Sequence, residues 1–191
     1  MAFPRAKGPV GKFLASLLEV GVIAGVAVAA TFLIRQYVFN PYSIVGASMS
    51  PNFREGDYVF VDEMSYHFRA PQRGEVVVFH APFLKSEDLI KRIVGLPGER
   101  VVVKDGTVTV FNTDHPQGFA LDESYLGGAG ATNGSADVAL GPNQYFVMGD
   151  NRPVSYDSRS WGPLAASDIV GRVLVRIWPP DATKVFAAPK Y

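Results

Sequence analysis

Cysteine is absent from these 191 residues, which removes disulfides, thiolate metal sites, cysteine nucleophiles and iron–sulfur clusters together. An excess of either charge is absent too: Lys plus Arg is 18 and Asp plus Glu is 18. That balance argues against a protein that holds nucleic acid by bulk charge, which shows a basic excess. The three histidines, His67, His80 and His115, show no H-E-x-x-H or other close metal spacing, and each reads as an ordinary core or surface residue. No G-x-x-x-x-G-K-[ST] or G-x-G-x-x-G occurs, so nucleotide binding has no support. Neither a metal nor another cofactor is expected. Beyond Arg35 no segment keeps a helical period for ten residues.

What is present begins with an apolar run. Phe13 to Ile34 is 22 residues long with Glu19 as its only charge. As a helix it reaches roughly 33 Å, enough to cross a hydrocarbon core of about 30 Å. Arg5, Lys7 and Lys12 precede it without any acidic residue, and only Arg35 follows closely. The positive-inside bias then puts 1–12 in the cytoplasm, 13–34 in the membrane and 35–191 outside. Glu19 falls in the first two turns, where its carboxylate can reach headgroups or water. Two blander readings compete. Ala27-Val28-Ala29 has the small-x-small form of a leader cleavage site, but it lies inside the apolar run rather than after it. A buried core helix would be apolar on one face, whereas this run is apolar all round.

The remaining chain reads as mainly β. Hydrophobic residues make up 48% of the sequence, enough to bury a core, and 14 Pro with 19 Gly suit many turns. Strand-like runs are Asp57 to Val61, Glu75 to Phe79, Leu89 to Val94, Gln144 to Met148 and Ile169 to Trp178. Arg100 to Lys104 and Thr107 to Phe111 flank Asp105-Gly106, a hairpin signal. The expected architecture is an antiparallel β-sheet domain behind a single N-terminal transmembrane helix, with a small, loop-rich insertion at 112–143. The tail from Asp181 to Tyr191 carries little that would pack.

Three segments could hold chemistry. In Gly46-Ala47-Ser48-Met49-Ser50-Pro51, small neighbours leave the serine hydroxyl and N–H open to a ligand; the blander reading is a plain turn serine. In Lys91-Arg92-Ile93-Val94-Gly95-Leu96-Pro97-Gly98-Glu99, Leu89, Lys91 and Ile93 share one strand face. If that face is buried, desolvation lowers the amine from about 10.4; reaching about 7 costs about 4 kcal/mol and yields a general base. The alternative is an edge lysine that snorkels to solvent. The third, Gly149 to Gly162, packs Asp150, Asn151, Arg152, Ser155, Asp157, Ser158 and Arg159 into one polar stretch, either a functional network or an ion-paired surface turn.

Together these segments resemble bacterial type I signal peptidase, or leader peptidase. The resemblance spans most of the chain: the membrane run, S-M-x-P at Ser48, R-G-E-V-V-V-F at Arg73 to Phe79, K-R-I-V-G-L-P-G, G-D-N-R-x-x-S-x-D-S-R-x-W-G, and the closing I-V-G-R and W-P. It matches least over Asn112 to Asn143, where only Leu121 to Leu126 is similar. It implies a membrane-anchored Ser–Lys dyad protease that removes signal peptides after a small-x-small site, typically Ala-x-Ala. Ser48 would be the nucleophile and its N–H an oxyanion donor, Lys91 the general base, and Ser155 the residue that hydrogen-bonds and aims the amine. Asp150 with Arg92, and Asp157 with Arg159, would be supporting ion pairs. An extended substrate would add beside Pro41 to Ser48 and Asp88 to Lys91, contacting Ile44, Val45, Gly46, Ala47, Asp88, Leu89 and Ile90. Gly46 stands where some members carry a serine that completes the oxyanion hole, which leaves the second donor open. The implied partners are signal-peptide-bearing preproteins, the lipid bilayer and the nearby export machinery, with no nucleic acid. The implied place is the inner or plasma membrane, with the catalytic domain on the periplasmic or extracellular side. Rival readings are a repressor-type autoprotease, which would need an N-terminal helix-turn-helix; an adaptor, which would have a broken dyad; and a peptidase dedicated to one substrate.

Overall fold

One continuous hydrophobic pattern and one alternating pattern divide the chain. The computed structural model describes residues 8–37, 40–128 and 131–188, in two units, Met1–Phe39 and Asn40–Tyr191. In the first, helix α1 spans Pro9–Tyr37, longer at both ends than the apolar run alone. Its opening proline lacks an N–H that would go unpaired in a first turn anyway. Pro9–Thr31 has a mean hydropathy of 2.2 and none of its most apolar window is buried, so the helix is long and apolar enough to cross a membrane. Thr31 Oγ1 donates to Ala27 O at 2.8 Å, so its hydroxyl is satisfied within the helix.

In the second unit the β-branched runs become strands. They are β1 (Asn40–Ser43), β2 (Tyr58–Asp62), β3 (Val76–Ala81), β4 (Leu84–Gly95), β5 (Arg100–Lys104), β6 (Thr107–Phe111), β7 (Phe119–Ala120), β8 (Ala136–Ala139), β9 (Gln144–Met148), β10 (Leu164–Ala165), β11 (Ile169–Trp178) and β12 (Lys184–Val185), with a four-residue helix α2 at Ser158–Trp161. The larger sheet has the order β1-β2-β11-β3-β4-β9-β10, with β12 on β11. Strand β3 explains the unbroken V-V-V-F run, because both its faces are covered. Val76 and Val78 pack with Ile44, Met49, Phe53 and Ile90, while Val77 and Phe79 pack with Ile93, Tyr145 and Val147. Strand β4 pairs with β3 along most of its length, but β9 lies along it only from Arg92 to Gly95. Among the described residues, the edge of β4 from Leu84 to Lys91 has no strand beside it.

The smaller sheet has the order β7-β6-β5-β8. Asp105 and Gly106 both take positive φ, 48° and 80°, which the tight hairpin between β5 and β6 requires. Its core joins Val101, Val103, Val108 and Val110 to Phe146 and Met148 of β9.

One expectation holds with an addition and one needs correction. The stretch 112–143 is loop-rich, as expected, yet it supplies β7 and β8 and buries Leu121, Leu126 and Leu140. Two-residue β7 and alanine-ended β8 carry little strand signal of their own; pairing to β5 and β6 orders them. The C-terminal tail is also packed in part. Lys184–Val185 pairs with β11, Phe186 N donates to Leu174 O at 2.9 Å, and the Phe186 ring stacks on Phe53 at 4.2 Å. A single aromatic anchor gives no periodicity to read. The last three positions, 189–191, lie outside the described residues.

Candidate active site

Ser48 occupies a tight turn after β1. Gly46 opens it with φ +84°, a conformation in which any side chain is strained. Ala47 O accepts from Ser50 N at 3.2 Å and Met49 O from Phe53 N at 2.9 Å. Met49 and Phe53, 1% and 0% exposed, pin the turn to the core, while Ser48 is half-buried.

Lys91 comes from β4, opposite Val77 of β3. Its neighbours on that face, Leu89 and Ile93, pack with Val77 and Phe79. The lysine is 3% exposed, so its amine has left water. Lys91 Nζ lies 2.8 Å from Ser48 Oγ and donates to Ile90 O at 2.9 Å. Burial pushes the amine down to about 8, against the pull of the Asp157 and Asp150 carboxylates.

The loop from Gly149 to Arg159 closes over the back of this pair. Asp150, fully buried, is held by a fork from Arg92: Nε to Oδ1 at 2.8 Å and Nη2 to Oδ2 at 2.6 Å. Asp157 caps α2, accepting from Arg159 N, and takes two guanidinium bonds from Arg159 at 2.8 Å each. Burial alone would raise the Asp157 carboxyl, but Arg159 and the Gly149 N–H hold it below the usual range. Both ion pairs expected from the sequence are therefore formed. The expected bond from Ser155 to the Lys91 amine is not. The amine faces Ser48 Oγ and Ile90 O instead, while Ser155 Oγ is buried against Gly149 and contributes to holding the Asp157 carboxyl low.

A cleft of about 130 Å³ opens beside Ser48 and Lys91. Ile44, Val45, Asp88, Leu89 and Ile90 line it, as the sequence suggested, but Gly46 and Ala47 do not. Tyr42 and Ser43, within the stretch Pro41 to Ser48, line it too; Val78, not singled out from the sequence, belongs to β3, whose alternation sends it to the same cluster as Ile44 and Ile90. The histidines are scattered: His80 Nδ1 is 2.7 Å from Asp88 Oδ1, His115 packs beside the Phe119 ring, and His67 ends a short 3₁₀ turn.

Sequence reasoning also missed the polar ties that hold the two loops together. Asn52 Nδ2 donates to Asp150 Oδ2 at 2.9 Å and to Tyr125 O at 3.0 Å. The Arg92 guanidinium lies over the Tyr125 ring at 4.5 Å. Arg152, 0% exposed, bonds Gly149 O, Thr132 Oγ1 and Tyr125 Oη and forms an ion pair with Glu123. These ties run from the smaller-sheet segment to the polar loop, and no local motif announces them.

The chain is similar to known proteins of one family. The family described as signal peptidase, peptidase S26, matches residues 17–178. A protein named signal peptidase IB from Staphylococcus aureus is 34% identical over 175 residues, covering 85% of this chain and 90% of its own. A probable signal peptidase I-2 from Synechocystis is 38% identical over 167 residues, covering 85% of this chain and 73% of its own. A solved signal peptidase I from Enterococcus faecalis aligns with a TM-score of 0.47 at 29% identity, covering 55% of this chain and 97% of that one.

Proposed function

Because the chain belongs to the signal peptidase family, peptidase S26, as a bacterial type I enzyme, we propose a Ser48–Lys91 dyad as its catalytic centre. It is a serine endopeptidase that removes signal peptides. The observation that carries the dyad is the 2.8 Å approach of a buried amine, lowered to about 8, to the Ser48 hydroxyl.

Neutral Lys91 takes the Ser48 proton as Oγ attacks the scissile carbonyl, and the Ser48 N–H donates to the developing oxyanion. Protonated Lys91 then gives that proton to the leaving amine. In the second half Lys91 takes a proton from the water that attacks the acyl-enzyme and returns it to Ser48 Oγ as the ester bond breaks, restoring both groups. The Arg92–Asp150 and Arg159–Asp157 pairs hold the polar loop behind the dyad and act through geometry, not through proton transfer.

The substrate is a precursor in extended form, lying between the Tyr42–Val45 segment and the open edge of β4 at Asp88–Lys91. Ile44, Val78, Leu89 and Ile90 leave room for small side chains, which suits an Ala-x-Ala site. Helix α1 anchors the chain in the membrane, with the basic segment before it on the cytoplasmic side and the peptidase unit on the outer side.

The test is cleavage of a purified precursor with an Ala-x-Ala site in detergent, using wild type, Ser48→Ala and Lys91→Met, with folding followed by circular dichroism. Wild type cuts after the second alanine and both folded variants are inert. A folded Lys91→Met that still cuts would remove the lysine from the mechanism.

A further inference from the structure

Asn151 holds the Ser48 turn at two points. Its side-chain Nδ2 donates to Ala47 O at 3.0 Å, and its backbone N–H donates to Ser48 O at 3.0 Å. These carbonyls belong to the peptide units immediately before and after the Ser48 Cα. The first matters more, because Ala47 C=O and Ser48 N–H are the two ends of one peptide. That peptide is trans, so its C=O and N–H lie in one rigid plane and point in opposite directions. Whatever fixes the carbonyl fixes the direction of the N–H. A hydrogen bond to the carbonyl also polarises the unit and strengthens its N–H as a donor, by about 10–30% per bond.

The segment carrying Asn151 is itself held in place. Asp150 on one side is clasped by Arg92, and its N–H points at Met49 Sδ, 3.4 Å away. Gly149 approaches so closely that a Cβ there would lie 2.4 Å from Ser48 O. The Asn151 amide is thus delivered by a fixed loop. Its contribution is needed here because Gly46, two residues before Ser48, has no side chain to donate to an oxyanion.

We propose that Asn151 is a positioning residue for the oxyanion donor: its side-chain amide orients and polarises the Ala47–Ser48 peptide so that the Ser48 N–H meets the carbonyl oxygen under attack. The proposal rests on Ser48 being the nucleophile. Asn151 does not touch substrate in this role. Its loss weakens stabilisation of the transition state while leaving substrate binding and the Lys91 titration as they were. Loss of a direct oxyanion donor costs about 10²–10³ in kcat; a residue acting at one remove costs about tenfold.

The experiment uses the full chain in detergent with the Ala-x-Ala precursor. Asn151→Leu keeps the volume without the donor, and Asn151→Ala removes the donor without adding bulk. Both are compared with wild type for kcat, KM, pH profile and melting temperature, beside Ser48→Ala. The expected result is a kcat about tenfold lower in both variants, with KM and the ascending pH limb near 8 unchanged and the melting temperature preserved. Wild-type kcat in a folded Asn151→Leu or Asn151→Ala, a loss confined to KM, or a displaced pH limb would each overturn the proposal. If Ser48→Ala is inert while the Asn151 variants cut normally, only the role of Asn151 fails. If Ser48→Ala cuts, the nucleophile assignment fails and takes this proposal with it.

Discussion

Replacing Lys91 by methionine should abolish cleavage and, at the same time, make the protein more stable at neutral pH. The amine titrates near 10.4 in an unfolded chain and at about 8 in the folded one. Between those values the unfolded state binds more protons, so stability rises with pH; below about 8 both states are protonated and the cost of burying the ammonium is fully present. At 1.36 kcal/mol per pH unit that cost is about 3 kcal/mol. Methionine fills the same slot without a charge, and loses hydrogen bonds to Ser48 Oγ and Ile90 O worth about 1 kcal/mol each. The net gain is about 1 kcal/mol at pH 6, or about 2–4 °C in melting temperature for a chain of this size. The gain shrinks above pH 8, and by about pH 10.5, where the burial cost is gone, the variant is the less stable of the two. Melting both proteins by scanning calorimetry at pH 6, 8 and 10 in one detergent reads this directly. Wild-type kcat/KM should climb about tenfold from pH 6 to 7 and level off above about 8, following the neutral amine. A variant less stable than wild type at pH 6, or a gap that does not change with pH, would refute the reasoning.

Gly149→Ala should cut cleavage by at least about tenfold, because its Cβ would come within 2.4 Å of Ser48 O and the nucleophile turn must move; steady-state kinetics check it. Asp150→Ala takes the carboxylate fork from the buried Arg92 guanidinium and should cost about 3–5 kcal/mol in denaturant unfolding, with part recovered in the double variant Arg92→Met/Asp150→Leu. Phe186→Ala loses the stack on Phe53 and should cost about 1 kcal/mol by thermal melting, with the pH limb near 8 unmoved.

The elements legible in the sequence are those whose own residues alternate or run apolar. The β5–β6 hairpin, β9 and β11 have the limits the sequence suggests, since each is dense in Val, Ile, Tyr or Phe. Strand β4 starts five residues before its apolar run, at Leu84, because pairing with β3 continues to Asp88 opposite His80 and, past an irregularity, to Leu84 opposite Ala81. Strands β1, β7, β8, β10 and β12 are short or poor in β-branched residues and exist by virtue of their partners. The site divides in the same way. Ser48, Lys91 and the two ion pairs sit in compact motifs. Asn52, Tyr125 and Arg152 act through bonds across long separations, such as the 98 residues between Asn52 and Asp150, which no local spacing encodes. Ser155 shows the limit of a motif: its position is as expected, but its hydroxyl is not on the amine.

The open edge of β4 between Leu84 and Lys91 bears on proofreading. A chain that joins such an edge locks in by backbone bonds that every sequence except proline can make, so joining discriminates little. Discrimination comes from phase. Because side chains alternate faces, sliding the guest by one residue turns every pocket-facing group outward and every outward one in, and sliding it by two restores the faces but brings a different bond to Ser48. In the proposed binding mode, only a guest small at two alternate positions is accepted without clash, and its intervening residue, facing away, is free to vary. If Ser48 is the nucleophile, the edge beside it measures a cut site as a ruler with a two-residue tick.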